Sequence, residues 1–400
     1  MRVTPLPREV SIIGCGMTKF GNRIDESLMD LLKEASLKAI EDARISCQSI
    51  QAVYVSTMLA GELTNQTAIA SALVDELCLF PAAADRVENG PASGGSAVKN
   101  AYLAVASGIY DFVLVVGGEK MREAPGNKIT DLLATMTHPT AEYMHGVTMP
   151  SLAALFTRLY MNKFGVERKH LAMVAVKNHE NALKNPYAHL QRKVTMEGIF
   201  SSREAEVNNP LIAEPLRLYD MCPISDGAAA VLLCSNEIAK KFSDTPIKIA
   251  GFGHATDIQA ISQRPDPTVL KAVQLSADQA FKMANLKPQD IDVVELHDAF
   301  TILEIAESEN AGFFKRGTGH VALEEGITAL DGKLPINPSG GLKARGHPVG
   351  ATGVAQVVEL VWQLRGDAGK RQVSGAEKGY CCNFGGFGNN VVSFVLRRAN

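Results

Sequence analysis

The stretch Asn337–Gly353 reads "NPSGGLKARGHPVGATG", and its density of glycine and proline sets it apart from the rest of the chain. His347 lies within it between Gly346 and Pro348, just before a helix that is predicted to begin near Gly350. Glycines let the backbone approach a ligand closely, and a helix N-terminus favours negative charge. A histidine held at such a place is a good donor to an oxyanion. The pattern therefore predicts a functional histidine, and the alternative is a structural loop histidine.

The order of elements that leads to this stretch occurs twice along the chain. Each copy has an apolar strand, a helix with apolar residues at helical spacing, a second strand, and a Gly-rich turn before another helix. The turn lies in Gly90–Ala104, "GPASGGSAVKNAYLA", in the first copy and in Gly346–Leu360, "GHPVGATGVAQVVEL", in the second. The matched segments are Val10–Gly14 with Ile247–Gly251 and Leu28–Ala43 with Ala272–Ala284, so that Gly14, Gly16 and Ala39 correspond to Gly251, Gly253 and Ala280.

This repeat predicts an α/β fold built from two duplicated halves, residues 1–240 and residues 241–400. An irregular insert rich in Met, His, Pro and Asn, at about residues 119–216, interrupts the first half. Such regions commonly carry the loops that face a substrate.

A second candidate site is "VVELHDAF", Val293–Phe300, where an apolar strand ends in His297 and Asp298. Polar residues at the end of a buried strand point into the functional crevice of an α/β fold. The alternative is a His-Asp pair that caps the helix that follows.

A third candidate is "GYCCNFGGFGNN", Gly379–Asn390, a Gly-rich stretch with two adjacent cysteines. Cys381 and Cys382 project to opposite sides, so only one of them can face a site. A thiol in a Gly-rich turn is a candidate acid/base or nucleophile, although free cysteines are more often buried packing residues.

Composition excludes several classes of protein. The chain has 400 residues, of which 46% are hydrophobic and 21% charged, with a net charge of −3, so neither nucleic acid nor an anionic membrane is expected as a partner. No apolar run is long enough to span a bilayer, and the N-terminus has no pattern of a signal peptide. The seven cysteines are scattered without a CxxC pair, which predicts a reduced cytoplasmic protein without disulfides or a metal site.

Together these stretches resemble the thiolase superfamily, in particular its sterol-carrier-protein-2-like and archaeal branch. The resemblance covers nearly the whole chain. Besides the three candidate sites it is carried by "GMTKFG" (Gly16–Gly21), "LAVASGIYDFVLVVGGEKM" (Leu103–Met121), "HGVTMP" (His145–Pro150) and "CPISDGAAAVLL" (Cys222–Leu233). It implies a five-layer α/β/α/β/α fold with a loop domain inserted in the first half, and a dimer as the smallest assembly.

The resemblance also implies a site. It makes His347 the histidine of the GHP motif, which binds the thioester oxygen, and His297 the strand-end residue that supports the same oxygen. Cys382, rather than Cys381, takes the place of an acid/base residue that is often histidine in this branch. His145 and Gly385 are predicted to contact the substrate, which would contain coenzyme A, and no bound cofactor is expected.

One residue departs from the family pattern. The family has Cys-Ala-Ser-Gly-Gly at the start of the first Gly-rich helix, and this chain has Pro91-Ala92-Ser93-Gly94-Gly95. Pro91 offers no thiolate to accept an acyl group, and it has no N–H for the second oxyanion hole that the family forms there. Loss of one such donor typically costs roughly 10²–10³ in rate.

Three hypotheses follow from this departure. The first is carbon–carbon bond cleavage or formation by enolate chemistry, of the aldol or retro-aldol type, on a β-hydroxyacyl-CoA. The second is a non-catalytic CoA-binding subunit that pairs with an active thiolase-fold subunit. The third is an acyltransferase whose nucleophile has moved to Cys382. The resemblance also suggests a small companion protein that combines a zinc ribbon with an OB fold.

Overall fold

The computed structural model describes residues 8–200 and 207–399. The strands are β1 Val10–Met17, β2 Ala52–Ser56, β3 Ala83–Val87, β4 Phe112–Glu119, β5 Leu211–Ala213, β6 Leu216–Arg217, β7 Gly227–Ser235, β8 Ile247–Thr256, β9 Val293–Glu295, β10 Lys378–Gly385 and β11 Asn390–Arg398. The helices are α1 Leu28–Ala43, α2 Ala60–Thr64, α3 Ile69–Glu76, α4 Ser93–Ala106, α5 Gly126–Ala134, α6 Met149–Phe164, α7 Arg168–Ala182, α8 Met196–Phe200, α9 Asn236–Ala239, α10 Lys271–Ala284, α11 Thr301–Asn310, α12 Gly319–Glu324, α13 Gly341–Arg345 and α14 Thr352–Arg365.

The strands of the two halves join into one nine-stranded sheet in the order β3-β2-β4-β7-β1-β8-β11-β10-β9. The first half contributes β2-β4-β7-β1, and the second half contributes β9-β10-β11-β8 with the same sequence of parallel and antiparallel pairs. β1 and β8 meet over only two residue pairs, Ser11 with Lys248 and Ile12 with Ile247. The repeated strand order confirms the duplication predicted from the sequence.

Helices form three layers around the two half-sheets. α1 and α3 pack on the outer face of the first half, and α10 packs on the outer face of the second. α4 and α14 lie between the halves, where each contacts strands of both. The order helix, sheet, helix, sheet, helix confirms the five-layer arrangement.

The matched glycines explain how closely the outer helices approach the sheet. A Cβ atom at Gly14 would lie 2.1 Å from the carbonyl oxygen of Ala39, and one at Gly251 would lie 2.2 Å from that of Ala280. Both pairs are those that the sequence repeat matched. Only residues without a side chain allow this contact, so the repeat encodes the spacing between layers.

The insert packs against the second half. α6 and α7 contribute to the same hydrophobic core as α10 and α11.

One segment differs from its prediction: "GYCCNF" is part of strand β10 and not of a turn, which begins only where β10 ends at Gly385. Within the described ranges, no helix has both the length and the apolar character needed to cross a membrane. The boundary between residues 240 and 241 stays a prediction.

Candidate active site

The site forms where the N-termini of the two central helices meet. A Cβ atom at Gly94 in α4 would lie 2.8 Å from the backbone nitrogen of Val354, and one at Gly353 in α14 would lie 2.3 Å from that of Gly95. The glycines of the two turns therefore serve first to bring the helix ends into contact. This contact sets Pro91, just before α4, near His347, just before α14.

Pro91 is buried and lines a cavity of about 480 Å³ together with His297 and His347. The turn around it is held by Ser93, whose hydroxyl donates to the carbonyl of Gly90 (2.5 Å) and accepts from the N–H of Asn89 (2.8 Å). Ser93 is fully buried and does not line the cavity. Its hydroxyl is thus committed to the turn and does not face the cavity.

His297 follows β9, and its ring lies between two other rings. It stacks on Phe384 with ring centres 5.3 Å apart and planes 5° apart. The ring of His347 stands nearly perpendicular to it, with a centre-to-centre distance of 4.9 Å. The two histidines predicted from separate motifs thus lie side by side at the cavity wall.

Asn383 of β10 determines which nitrogen of His297 carries a proton. Its side-chain oxygen accepts from the N–H of Gly95 (3.0 Å), so its amide nitrogen must face the carbonyl of Pro91 (3.1 Å). The same amide nitrogen lies 3.3 Å from Nδ1 of His297 and can only donate to it. A neutral His297 therefore carries its proton on Nε2.

Thr352 determines which ring nitrogen of His347 carries a proton. Its hydroxyl lies 2.6 Å from Nδ1 of His347 and 2.9 Å from the carbonyl oxygen of Pro348. A threonine in the first turn of a helix commonly donates to the carbonyl four residues earlier. If the single hydroxyl proton goes to Pro348, the short contact with His347 is satisfied by an Nδ1–H donor, and Nε2 keeps its lone pair. In this arrangement the Thr352 hydroxyl makes two hydrogen bonds. If it donated its proton to Nδ1 of His347 instead, it would make only one of them.

Both histidines are neutral at physiological pH. Burial lowers the pKa of His297 well below its ordinary value. Burial, and then the positive charge of Arg345, lowers the pKa of His347 to about 3. The site thus offers one ring with Nε2–H as a donor and one ring with an unprotonated Nε2 as an acceptor.

Asp298 does not face the cavity and instead stabilises the loop that carries His347. Its carboxylate accepts from the backbone N–H groups of Leu342 (2.6 Å) and Lys343 (3.4 Å) at the start of α13. The side-chain amide of Asn178 also donates to it, at 2.7 Å. The His-Asp pair therefore divides its roles: Asp298 caps a helix, although not the one that follows it.

Glu295 and Arg345 form a second link between the two motifs. Both side chains are fully buried, and Nη1 of Arg345 lies 3.2 Å from a carboxylate oxygen of Glu295. The hydroxyl of Ser339 donates to the same carboxylate at 2.8 Å. This ion pair ties the end of β9 to the segment before His347.

The structure brings neither adjacent cysteine into the cavity. Cys381 packs in the core between the halves, and Cys382 is fully buried and does not line the cavity. Burial raises the pKa of both thiols, so neither favours a thiolate. Asn383, which the sequence analysis did not single out, occupies the place beside His297. Strand alternation, which sends Cys382 and Asn383 to opposite faces, is the signal that could have found it.

Neither of the two predicted substrate contacts, His145 and Gly385, lines the cavity. His145 is exposed in a 3₁₀ turn over Tyr143–His145 and does not line the cavity, although Met149 and Pro150 of the same motif do. Gly385 lies beneath the Pro91 turn, where a Cβ atom would lie 2.8 Å from the carbonyl oxygen of Asn89. The roles of His145, Gly385 and Cys382 stay predictions.

Sequence comparison agrees with this fold. Residues 10–237 match the family model of the thiolase N-terminal domain, and residues 253–398 match that of the thiolase C-terminal domain-like family. The architecture is thus that of a duplicated α/β protein with a site between its halves, and the chain belongs to the thiolase family.

The individual relatives cover nearly the whole chain. It is 46% identical to an acetyl-CoA acetyltransferase of Methanothermobacter thermautotrophicus over 98% of this chain and 100% of that protein. It is 33% identical to human sterol carrier protein 2 over 96% of this chain and 71% of that protein. Among solved structures, one described as an Ltp2-ChsH2(DUF35) aldolase matches with a TM-score of 0.83 at 24% identity, over 99% of both chains.

Proposed function

We propose that this thiolase-family protein acts on CoA thioesters and cleaves or forms a carbon–carbon bond through an enolate, without an acyl-enzyme. The reaction we favour is the retro-aldol cleavage of a β-hydroxyacyl-CoA, or its reverse. The observation that carries the proposal is the position of Pro91. It lies at the N-terminus of α4 and lines the same cavity as His297 and His347. The resemblance to the family pattern Cys-Ala-Ser-Gly-Gly aligns Pro91 with the acyl-accepting cysteine.

The two histidines supply the acid/base chemistry that a retro-aldol reaction needs. Nε2 of His347 takes the proton of the β-hydroxyl group, and the bond between Cα and Cβ breaks to release an aldehyde or ketone. The electron pair of that bond forms the thioester enolate, whose oxygen accepts a hydrogen bond from Nε2–H of His297. The proton on His347 then returns to Cα and gives the acyl-CoA product. No covalent bond to the protein forms at any step.

A relocated nucleophile is less well supported. Cys382, the proposed substitute, does not line the cavity, and Cys222 is the thiol that does. Burial raises the pKa of Cys222 to about 12, although the charge of Lys343 acts in the opposite direction. A thiol in this state is a poor nucleophile because the reactive form is the thiolate.

The relatives support the substrate class rather than the reaction. An acetyl-CoA acetyltransferase at 46% identity favours a CoA thioester as substrate. The aldolase complex is only 24% identical and therefore shows the fold alone. The choice of aldol chemistry over acyl transfer depends on Pro91.

We also propose that the chain works as an assembly, either a homodimer or a heteromer. The candidate partners are a second thiolase-fold subunit and a small zinc-ribbon/OB-fold companion. The name of the aldolase complex includes a second component, ChsH2(DUF35), which is consistent with a companion of this kind. Co-purification from the native cell with size-exclusion analysis tests this part. A thiolase-fold partner with an intact cysteine, together with a lack of activity of the isolated chain, would favour the non-catalytic role.

The experiment for the activity uses the purified chain with β-hydroxyacyl-CoA substrates. Carbonyl release and acyl-CoA formation are measured together, and intact mass after reaction tests for an acyl-enzyme. We expect turnover without a mass shift on any cysteine, and loss of turnover in His347→Ala. The control is His320→Ala, which removes a half-buried histidine of α12 that does not line the cavity. Unchanged activity of His347→Ala, or an acylated cysteine, would refute the proposed chemistry.

A further inference from the structure

The cavity extends from the histidines into an apolar compartment that the chemistry above does not use. We call its inner surface the tail wall, formed by Met136, Met149, Phe300, Leu303 and Phe387. Four of these residues are buried and belong to the core of the second half and the insert, and Met136 packs against that core. The tail wall has no charged side chain.

The exposed residues that line the cavity form its rim. Arg122 there is exposed and is the one cavity-lining residue among the described residues with a charged side chain at neutral pH. Ile212 and Leu218, which are 46% and 44% exposed, complete the rim. The cavity lining thus combines an exposed cation, a mostly buried apolar wall and the two histidines.

The volume exceeds what a short acyl group occupies. About 480 Å³ lies in the range of sites that enclose a whole drug-sized ligand. An acetyl group carries a single methyl and would leave most of the tail wall without contacts. An empty apolar surface of this size is costly, and an apolar ligand that fills it binds more tightly because it leaves water.

We infer that the protein takes CoA thioesters with a large apolar acyl group, of at least about six carbons, whose tail lies against the tail wall. This inference rests on the proposed function for the identity of the CoA thioester, and it adds the acyl class. Methionine is unbranched and flexible, so Met136 and Met149 can adjust to linear or ring-bearing tails. Phe300 and Phe387, 6.5 Å apart between ring centres, add flat apolar surface.

Equilibrium binding separates this inference from the proposed reaction, because binding needs no turnover. Acetyl-CoA, hexanoyl-CoA, dodecanoyl-CoA and phenylacetyl-CoA are titrated into the full chain by calorimetry. Each buried methylene contributes roughly fourfold in affinity. We therefore expect hexanoyl-CoA and at least one of the two larger thioesters to bind on the order of 100-fold more tightly than acetyl-CoA. Equal affinities across the series would overturn the inference, whatever the result of the activity assay.

Substitutions that fill part of the cavity test where the acyl tail binds. Met136→Trp and Leu303→Phe each add volume at the tail wall, and the half-buried Met136 offers the substitution that the fold tolerates more easily. We expect both to reduce the preference for the longer thioesters at least tenfold and to leave acetyl-CoA binding unchanged. Leu155→Trp is the matched control, because Leu155 is 56% exposed on α6, the helix that carries Met149. An unchanged preference in folded Met136→Trp, checked by circular dichroism, would place the tail elsewhere and refute the tail wall.

Discussion

At the scale of single residues, Asn383 and Thr352 give the two site histidines opposite roles. The amide of Asn383 donates towards Nδ1 of His297, and the hydroxyl of Thr352 accepts from Nδ1 of His347. In each ring, the contact at Nδ1 determines whether Nε2 carries a proton. Two neutral imidazoles 4.9 Å apart can therefore act as a donor and an acceptor at the same pH.

Thr352→Val is expected to reduce kcat by about tenfold or more with little change in KM. The valine keeps the shape of the threonine but cannot accept the proton of Nδ1, so His347 loses its fixed tautomer. Thr352→Ser keeps the hydroxyl and is expected to restore most of the rate. The measurement is steady-state kinetics together with ¹⁵N NMR of the His347 ring. An unchanged ring spectrum in Thr352→Val would contradict the assigned tautomer even if the rate fell.

His347→Gln is expected to make stability less sensitive to acid. The folded pKa of His347 is about 3, below the unfolded value of about 6.5, so the unfolded chain binds the proton first. Wild-type stability from this group is complete above pH 6.5 and is lost as the pH falls towards 3. The variant lacks this loss, so its stability relative to wild type is expected to rise by about 2 kcal/mol between pH 7 and pH 5.

Urea unfolding at several pH values measures this difference. His145→Gln, at an exposed position, is the control and is expected to follow the wild type. A constant difference between His347→Gln and wild type from pH 7 to pH 5 would show that His347 is not held neutral by burial.

At the scale of elements, glycines determine how closely helices approach strands and one another. Gly251 and Gly253 of β8 lie against the backbone of α10, as Gly14 and Gly16 of β1 lie against that of α1. Side chains alternate between the two faces of a strand, so residues two positions apart lie on the same face. Both glycines of a strand therefore contact the same helix. The helix therefore lies close to the strand at both positions.

Gly253→Ala is expected to destabilise the protein by about 2 kcal/mol or more, because the added Cβ would lie 1.8 Å from the carbonyl oxygen of Ser276. The helix backbone cannot yield at one point without losing contacts elsewhere. Gly61→Ala in α2 is the matched control, since nothing lies within 4 Å of its Cβ position and alanine favours helix. The free energy of unfolding in urea measures both. Equal stability of the two variants would show that β8 and α10 separate easily.

At the scale of the whole molecule, the two halves share one core. The central cluster contains residues of β1, β4 and α4 from the first half and of α14, β10 and β11 from the second. α14 is buried on nearly all sides because it packs between the half-sheets. Neither half retains this core without the other.

We therefore expect one cooperative unfolding transition for the whole chain. Trp362 of α14, the single tryptophan, stacks on Tyr187 of the insert with ring centres 4.9 Å apart, so its fluorescence reports on the central layer. Far-ultraviolet circular dichroism reports on all helices. The two probes are expected to give the same midpoint in urea. A fluorescence midpoint well below that of circular dichroism would show that the central layer opens first.

Local pattern was sufficient for much of the fold. The helix over Leu28–Ala43 has the predicted bounds, because apolar spacing and end signals are local properties. The repeat and its matched glycines follow from the sequence for the same reason. The motifs around His297 and His347 also carried enough information to predict the thiolase family.

Tertiary structure decided which side chains meet. Asn383 reaches Pro91, 292 positions away along the chain, only because strand order and alternation aim it there, and the same alternation turns Cys382 into the core. The tail wall likewise combines the insert with α11 and the segment after β10. Composition and spacing along a chain encode helices, strands and turns, whereas the direction of a side chain in space depends on how distant segments pack. The sequence alone therefore predicted the thiolase family, and only the packed structure showed which groups surround Pro91.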